Sequence, residues 1–331
     1  MRPLALDLFA GAGGATIALE RLGYRTVSFD NWAPAVATHQ ANGLECHQAD
    51  IIAGEVNWAG FRGTVELLWG SPPCQPFSTA TTNGGEWDHR DGFPAFLDAL
   101  ATIRPPVAAI ENVPGMAAKR NAYYLDSVLS AIADLGYEVD WRLLDATDFG
   151  VPQRRQRVVI FAMLGEEPVW PDPTHHAPVT VGEAIGDGTG NPPGARVVYM
   201  TNPIASSSYK GSLLYNGRGR PLDLDAPSLT INASGGNHVH WFDTANTHRA
   251  YWEHLRSGGA PYVGDVPGTR RLTPEQMAVL QGFPADFMFT GPPSVQVKQI
   301  GNAAPPALVE NVVGVNAPAV VATYPWERAS A

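Results

Sequence analysis

Through the first 163 residues, short apolar runs alternate with stretches of helical periodicity. Leu4–Phe9, Thr26–Asp30, Val65–Trp69, Val107–Glu111 and Arg157–Met163 read as strands, each bounded by turn formers. Ala15–Leu22, Pro34–Ala41, Ala95–Ile103 and Tyr124–Leu135 carry the helical pattern between them. Strands joined by helices pair in parallel, so the expected class is α/β with a doubly wound, mostly parallel sheet. Such a sheet keeps its chemistry at the carboxyl ends of its strands. With 331 residues, 44% of them hydrophobic, the chain is long enough for that core and a second domain.

The texture changes after Gly165. Gly186–Gly194, Ser206–Ser212, Asn216–Pro221 and Ser234–Asn237 are dense in Gly, Pro, Ser and Asn. Helical periodicity returns at Thr273, where Thr273, Pro274 and Gln276 spell an N-cap, a first helical position and a capping box. A last helix is expected from Pro305-Pro306 to about Val313. The expected division is therefore 1–164 with 270–331 as the sheet domain, and 165–269 as a smaller domain of loops and short strands.

Three strand ends point to a nucleoside-bearing cofactor. Asp7-Leu-Phe-Ala-Gly-Ala-Gly-Gly14 leaves a strand and opens a helix, and Gly11, Gly13 and Gly14 let backbone approach a ligand closely. Asp30 is placed for ribose hydroxyls and Asp50 for an adenine amino group. The glycine spacing is not that of dinucleotide sites, and a tight structural turn is the plain alternative.

A fourth strand end carries a thiol. Gly70-Ser-Pro-Pro-Cys-Gln-Pro-Phe-Ser78 follows Val65–Trp69, and Pro72 and Pro73 stiffen the turn that presents Cys74. A buried structural cysteine is the competing reading. With only Cys46 and Cys74, no disulfide framework or CxxC metal pair exists, which suits a reducing cytoplasm. Acidic and glycine residues come too early for a signal peptide, and no uncharged apolar run has spanning length, so a soluble cytoplasmic protein is expected. His175, His176, His238 and His240 have no accompanying cysteine, and no metal is expected.

Six segments, in order, carry a family resemblance. They are Phe9–Gly14, Pro72-Pro-Cys-Gln75, Glu111-Asn-Val113, Gln153-Arg-Arg-Gln-Arg157, Arg271–Pro284 and Gly301-Asn302. Together they resemble the DNA (cytosine-5)-methyltransferases of bacterial and phage type, over nearly the whole chain. The resemblance implies a Rossmann-like methyltransferase fold with an inserted target-recognition domain. It implies S-adenosylmethionine as cofactor, held by Phe9, Gly11, Gly13, Gly14, Asp30, Asp50, Pro72 and Asn302. At the ribose position the family often has Glu where this chain has Asp30, a shorter acid that can still accept from ribose.

For catalysis the resemblance implies Cys74 as the nucleophile that adds to C6 of cytosine. Glu111 acts at N3, Arg155 at O2, and Arg157 supports the loop or a phosphate. Thiolate is the side chain best suited to this addition. Methyltransferases that act on exocyclic amino groups resemble a pattern with an aromatic ring where Cys74 stands, so a ring carbon is the expected acceptor. The base must be flipped from a duplex. Gln75, Ser78 and Arg90, in or beside a polar stretch that looks like a lid, and Arg218, Arg220 and Thr230 in the insert are the expected DNA contacts.

A net charge of −10 and a pI near 5.3 run against a basic footprint. The basic residues are clustered, however, and phosphate affinity depends on the groups facing the backbone. Other readings are the RNA-methylating branch, whose Cys-Phe-Thr signature the insert lacks, and a non-catalytic cofactor- or DNA-binding module. A cysteine hydrolase has no His motif beside Cys74. A monomer is expected, with duplex DNA as partner and a cognate restriction endonuclease left open.

Overall fold

A computed structural model describes residues 2–73, 91–186, 222–233, 241–243, 257 and 269–316. Two compact units are formed. One holds 1–149, 156–174 and 303–331, and the other holds 150–155 and 175–302.

In the first unit seven strands form one sheet: β1 (Leu4–Leu8), β2 (Arg25–Asp30), β3 (Glu45–Gln48), β4 (Val65–Gly70), β5 (Val107–Asn112), β6 (Glu138–Asp145) and β7 (Gln156–Met163). Their spatial order is β3-β2-β1-β4-β5-β7-β6. Strands β1 to β5 pair in parallel, whereas β7 runs antiparallel to both β5 and β6. The α/β, mostly parallel sheet expected from the sequence is present. The order reverses between β1 and β4, and the crevice of an open α/β sheet lies at such a reversal.

Period-2 alternation sorts the strand side chains onto two faces. Leu6, Leu8, Val27, Phe29, Leu68 and Ile110 share one apolar cluster with Phe93, Phe96 and Leu100 of α3 (Phe93–Ile103) and Leu125, Val128 and Ile132 of α4 (Ala122–Asp134). The alternate residues Asp7 and Ser28 meet Thr16 of α1 (Gly14–Arg21), and Thr16 in turn meets His39 of α2 (Ala33–Ala41). Helices therefore cover both faces, as in a doubly wound sheet.

Several described elements are not legible in the sequence, among them β3, β6, the short strands Trp241–Asp243 and Thr269–Arg271, and the helices Val181–Ile185 and Pro293–Asn302. Strand β6 lies at the sheet edge with mostly exposed or half-buried residues, so it lacks the continuous apolar run that marks its neighbours. The helix Pro274–Leu280 carries both halves of its capping box. Thr273 Oγ1 accepts from the Gln276 amide at 3.2 Å, and the Thr273 amide donates to Gln276 Oε1 at 3.1 Å. The last described helix is Pro306–Asn316, three residues longer than expected.

The glycines of the first turn differ in what they require. Gly14 has no room for a side chain, because a Cβ there would lie 2.1 Å from the Ala304 carbonyl oxygen. Gly11 faces open space and needs glycine only for its φ of +55. Gly14→Ala should therefore cost on the order of 2 kcal/mol or more through backbone collision. Gly11→Ala should cost about 1 kcal/mol through its left-handed backbone. Urea unfolding of the two variants checks the order, and a Gly14→Ala protein as stable as the native chain would contradict it.

Candidate active site

The β1–α1 turn is fixed by its own backbone. Phe9 and Gly11 take left-handed conformations with φ of 58 and 55, and Gly13 follows at 88. A Cβ on Gly13 would stand 3.0 Å from the His39 ring, so Gly13 and Gly14 are glycines for packing, while Gly11 leaves open space above the turn.

Asp30 closes β2 beneath that opening. Its Oδ2 accepts from the Gly11 amide and its Oδ1 from the Trp32 amide, both at 2.8 Å. Burial raises its pKa, and the two amides oppose that shift. The carboxylate is thereby locked in one orientation at the strand end. Asp50 follows β3 and caps its own turn, accepting from the Ile52 and Ala53 amides at 3.0 and 3.1 Å through Oδ1. Its Oδ2 is 3.4 Å from Asn31 Nδ2. Ile52, an exposed apolar residue on this turn, was not singled out in the sequence because a lone surface isoleucine carries no signal.

The stem after β4 is anchored on three sides. The Ser71 amide donates to Leu8 O at 3.0 Å, Asn112 Nδ2 to Pro72 O at 3.0 Å, and the Gly92 amide to Pro73 O at 3.1 Å. A Cβ on Gly92 would meet Pro73, Pro72 and Phe9 within 3.1 Å, so these four residues are in close packing. Asn112 was read only as part of a motif. Its neighbour Glu111 drew the attention, although Asn112 is the residue that ties β5 to the loop stem. Cys74, Gln75, Ser78, Arg90, Arg218 and Arg220 lie outside the described residues. The other cysteine, Cys46, is a buried thiol pushed up to about 12 by burial, with Asp30 and Asp7 adding to the shift. A group so protonated is a poor nucleophile.

Glu111 and Arg157 form a buried ion pair, with Arg157 Nε 2.5 Å from Glu111 Oε1. Burial lowers the Arg157 pKa and Glu111 opposes that shift. The pairing depends on strand direction. Because β7 runs antiparallel to β5, its beginning lies beside the end of β5, with Asn112 opposite Val158.

The second unit uses the other half of the same segment. Gln153 accepts from the Ile231 amide at 2.9 Å and donates to Leu280 O at 3.2 Å and Gln281 Oε1 at 2.7 Å. Arg155 is fully buried and donates to Ile231 O at 3.0 Å and Gly301 O at 2.8 Å. A Cβ on Gly301 would lie 2.3 Å from the Ala233 amide nitrogen, so the two backbones that Arg155 joins are in contact. The roles expected for the two arginines are thus distributed differently. Arg157 is paired with Glu111, while Arg155 braces residues 231 and 301 inside the second unit. Thr230 Oγ1 donates to Arg154 O at 2.7 Å, and Asn302 ends the helix Pro293–Asn302 with its side chain exposed. Among the described residues no group of three or more His, Cys, Asp or Glu could hold a metal ion.

A Gly-rich turn, a carboxylate held by two backbone amides and a stiff loop stem meet at the reversal of a parallel sheet, where open α/β sheets bind their ligands. Among solved structures, the Schizosaccharomyces pombe Dnmt2 methyltransferase shares the fold, with a TM-score of 0.70 at 19% identity over 97% of this chain and 99% of that one. A putative DNA modification methyltransferase from an Escherichia coli prophage gives 0.63 at 18% identity, covering 94% and 97%.

Residues 5–315 match the model of the C-5 cytosine-specific DNA methylases, and the chain belongs to that family. The Type II methyltransferase M.AplI of Arthrospira platensis is 33% identical, with 93% of this chain and 84% of that protein covered. M.NgoMIV of Neisseria gonorrhoeae is 31% identical, with 94% and 96% covered. The protein is thus a DNA (cytosine-5)-methyltransferase, and among the described residues no helix is long and apolar enough to cross a membrane.

Breaking the Glu111–Arg157 pair from one side leaves a buried charge without its partner. Arg157→Met should therefore lower stability by about 3–5 kcal/mol. A double-mutant cycle with Glu111→Gln, followed by denaturant unfolding, reads the coupling, and additive losses would contradict a direct pair.

Proposed function

We propose that the protein transfers a methyl group from S-adenosylmethionine to C5 of a flipped-out cytosine at a specific site in duplex DNA, by way of a covalent Cys74–C6 adduct. The observation that carries this reading is the buried Glu111–Arg157 pair at the sheet edge where the Cys74 loop begins. The residues at the β1 and β2 ends fit the cofactor. Gly11 leaves open space, and Asp30, held by the Gly11 and Trp32 amides, would accept from ribose. Phe9, Gly11, Asp30, Asp50, Pro72 and Asn302 would hold it, with Gly13 and Gly14 shaping the turn. When bound, this cofactor supplies an electrophilic methyl on a sulfonium centre.

The chain's own residues supply the rest. Cys74, as thiolate, adds to C6 and pushes electron density toward C5 and N3. Glu111 meets N3 of the base, oriented by the guanidinium that grips its other oxygen. Arg157 supports the same edge of the base at O2, the role the sequence had suggested for Arg155. After transfer, loss of the C5 proton expels the Cys74 sulfur and restores the aromatic ring. Pro72 and Pro73 hold the loop stem, and Asn112 ties it to β5, so the nucleophile and Glu111 share one frame.

Arg90, Arg218, Arg220, Gln75, Ser78 and Thr230 are assigned to DNA, with residues 165–269 reading the target sequence and 1–164 with 270–331 performing catalysis. The Type II names of the relatives support a place beside a cognate endonuclease in a restriction–modification pair. A cytoplasmic monomer is part of the same proposal, resting on the sequence alone.

Mass spectrometry of nucleosides from duplex DNA incubated with the protein and labelled donor tests the reading. The expected product is 5-methyldeoxycytidine at one short sequence. Cys74→Ser should lower transfer by about 10³-fold or more while cofactor binding persists. Methylation of RNA but not DNA, or equal activity in Cys74→Ser, would contradict it.

A further inference from the structure

Under the cofactor turn lies a polar knot that the catalytic cycle does not use. Asp7, Thr16, Ser28 and His39 are all fully buried on one face of the sheet. Thr16 Oγ1 sits at its centre, 2.7 Å from Asp7 Oδ2, 2.9 Å from Ser28 Oγ and 3.0 Å from His39 Nε2. His39 Nδ1 is 3.0 Å from the Ala35 carbonyl, so that nitrogen carries a proton. Asp7 Oδ1 has no hydrogen-bond partner.

A proton count then follows from donor and acceptor chemistry. If His39 is neutral, Nε2 is an acceptor and takes the single Thr16 hydroxyl proton. Thr16 Oγ1 must then accept at its other two contacts, so Asp7 Oδ2 has to donate and is a carboxylic acid. If Asp7 is ionised instead, it takes the Thr16 proton, and Nε2 is satisfied only when it is protonated and donates to Thr16. The remaining combination, ionised Asp7 with neutral His39, gives the one Thr16 proton to Asp7 and leaves Nε2 without a donor, so satisfying every contact at Thr16 requires one further proton in the knot.

Across the neighbouring elements Asp7 is coupled to Asp30 of β2 and Cys46 of β3, and reaches His39 of α2 only through Thr16. Asp30 receives two backbone amides and is the carboxylate of this pair. A second buried negative charge beside it would be unfavourable. Burial raises the Asp7 pKa to about 7 against hydrogen bonds from the Thr16 hydroxyl and amide, with Asp30 adding to the rise, and burial lowers that of His39 against its bond to the Ala35 carbonyl. These directions favour the acid and the neutral imidazole.

We propose that Asp7 is a positioning residue whose retained proton, relayed through Thr16 to His39, holds the Gly11–Gly14 turn and the Asp30 carboxylate in their cofactor-binding arrangement. The mechanical link is short. Thr16 lies in the first turn of α1, the His39 ring fills the space beside Gly13, and Asp30 grips Gly11. Loss of the proton leaves His39 Nε2 facing no donor and sets two carboxylates against each other beneath the turn. This inference rests on the cofactor reading above but makes a claim of its own about the empty protein.

The test compares the native chain with Asp7→Asn, whose amide can donate to Thr16 at every pH, and with Asp7→Leu, which cannot. In the absence of ligand, the stability difference between native and Asp7→Asn protein is followed by urea unfolding. An acid with a folded pKa of about 7 against 3.8 unfolded loses stability as pH rises between those values, and Asp7→Asn should lack that slope. Isothermal titration with S-adenosylhomocysteine, a donor without the sulfonium charge, gives the second arm.

Native affinity should fall by up to about tenfold per pH unit above pH ~7. Asp7→Asn should match native affinity at pH ~6 and stay flat, and Asp7→Leu should bind weakly throughout. Identical stability slopes in native and Asp7→Asn protein would overturn the retained proton. Equal pH dependence of binding in the two, or loss of binding in a folded Asp7→Asn protein, would overturn its role in positioning. If native protein shows the slope yet binds no cofactor at any pH, the cofactor reading fails and the positioning role falls with it, while the proton assignment stands.

Discussion

Five parallel strands deliver their carboxyl ends to one edge of the sheet, and almost every group assigned to chemistry depends on that shared direction. Strand β1 brings Phe9 and the glycines, β2 brings Asp30, β3 leads to Asp50, β4 to the Pro72-Pro73 stem and β5 to Glu111. One further constraint completes the edge. The antiparallel turn of β7 sets Arg157 beside Glu111, whereas a parallel β7 would have carried that arginine to the opposite edge. The mixed sheet is thus tied directly to the ion pair.

The chain's polar interior does two kinds of work. At the carboxyl edge, groups such as Asp30 are held by the backbone amides of the turns they close. Gln153, Arg155 and the Asp7 knot instead hydrogen-bond to internal partners, although Asp7 Oδ1 has none. Arg155 makes the distinction concrete: it belongs to a catalytic-looking motif, and both of its terminal nitrogens donate to backbone carbonyls. Burial without satisfaction would be costly for such a group, which is why its partners are main-chain oxygens that no side-chain rotation can withdraw.

Much of this was legible in the sequence. The apolar runs of β1, β2, β4, β5 and β7 announced buried strands, and Thr273-Pro-Glu-Gln276 announced its helix through capping chemistry that depends on four adjacent residues. Edge strands were harder, because β3 and β6 bury too little to leave an apolar run. The division between Arg155 and Arg157 could not be read at all. Both sit at alternate positions of one extended segment, and only strand direction and the partners at 111, 231 and 301 separate them. For the same reason the glycine run looks uniform in sequence, although Gly14 answers to Ala304, Gly13 to His39 and Gly11 to its left-handed backbone.

The account turns on sulfur addition to a cytosine ring at the edge that these strands build. Duplexes carrying 5-fluorocytosine at the target position block loss of the group on C5 and trap that adduct. With the donor present, the account predicts a denaturation-resistant protein–DNA complex whose cross-linked peptide contains Cys74 and which carries a methyl group on the fluorinated ring. Turnover of the normal duplex with no such complex from the fluorinated one, or a cross-link through any other residue, would contradict it.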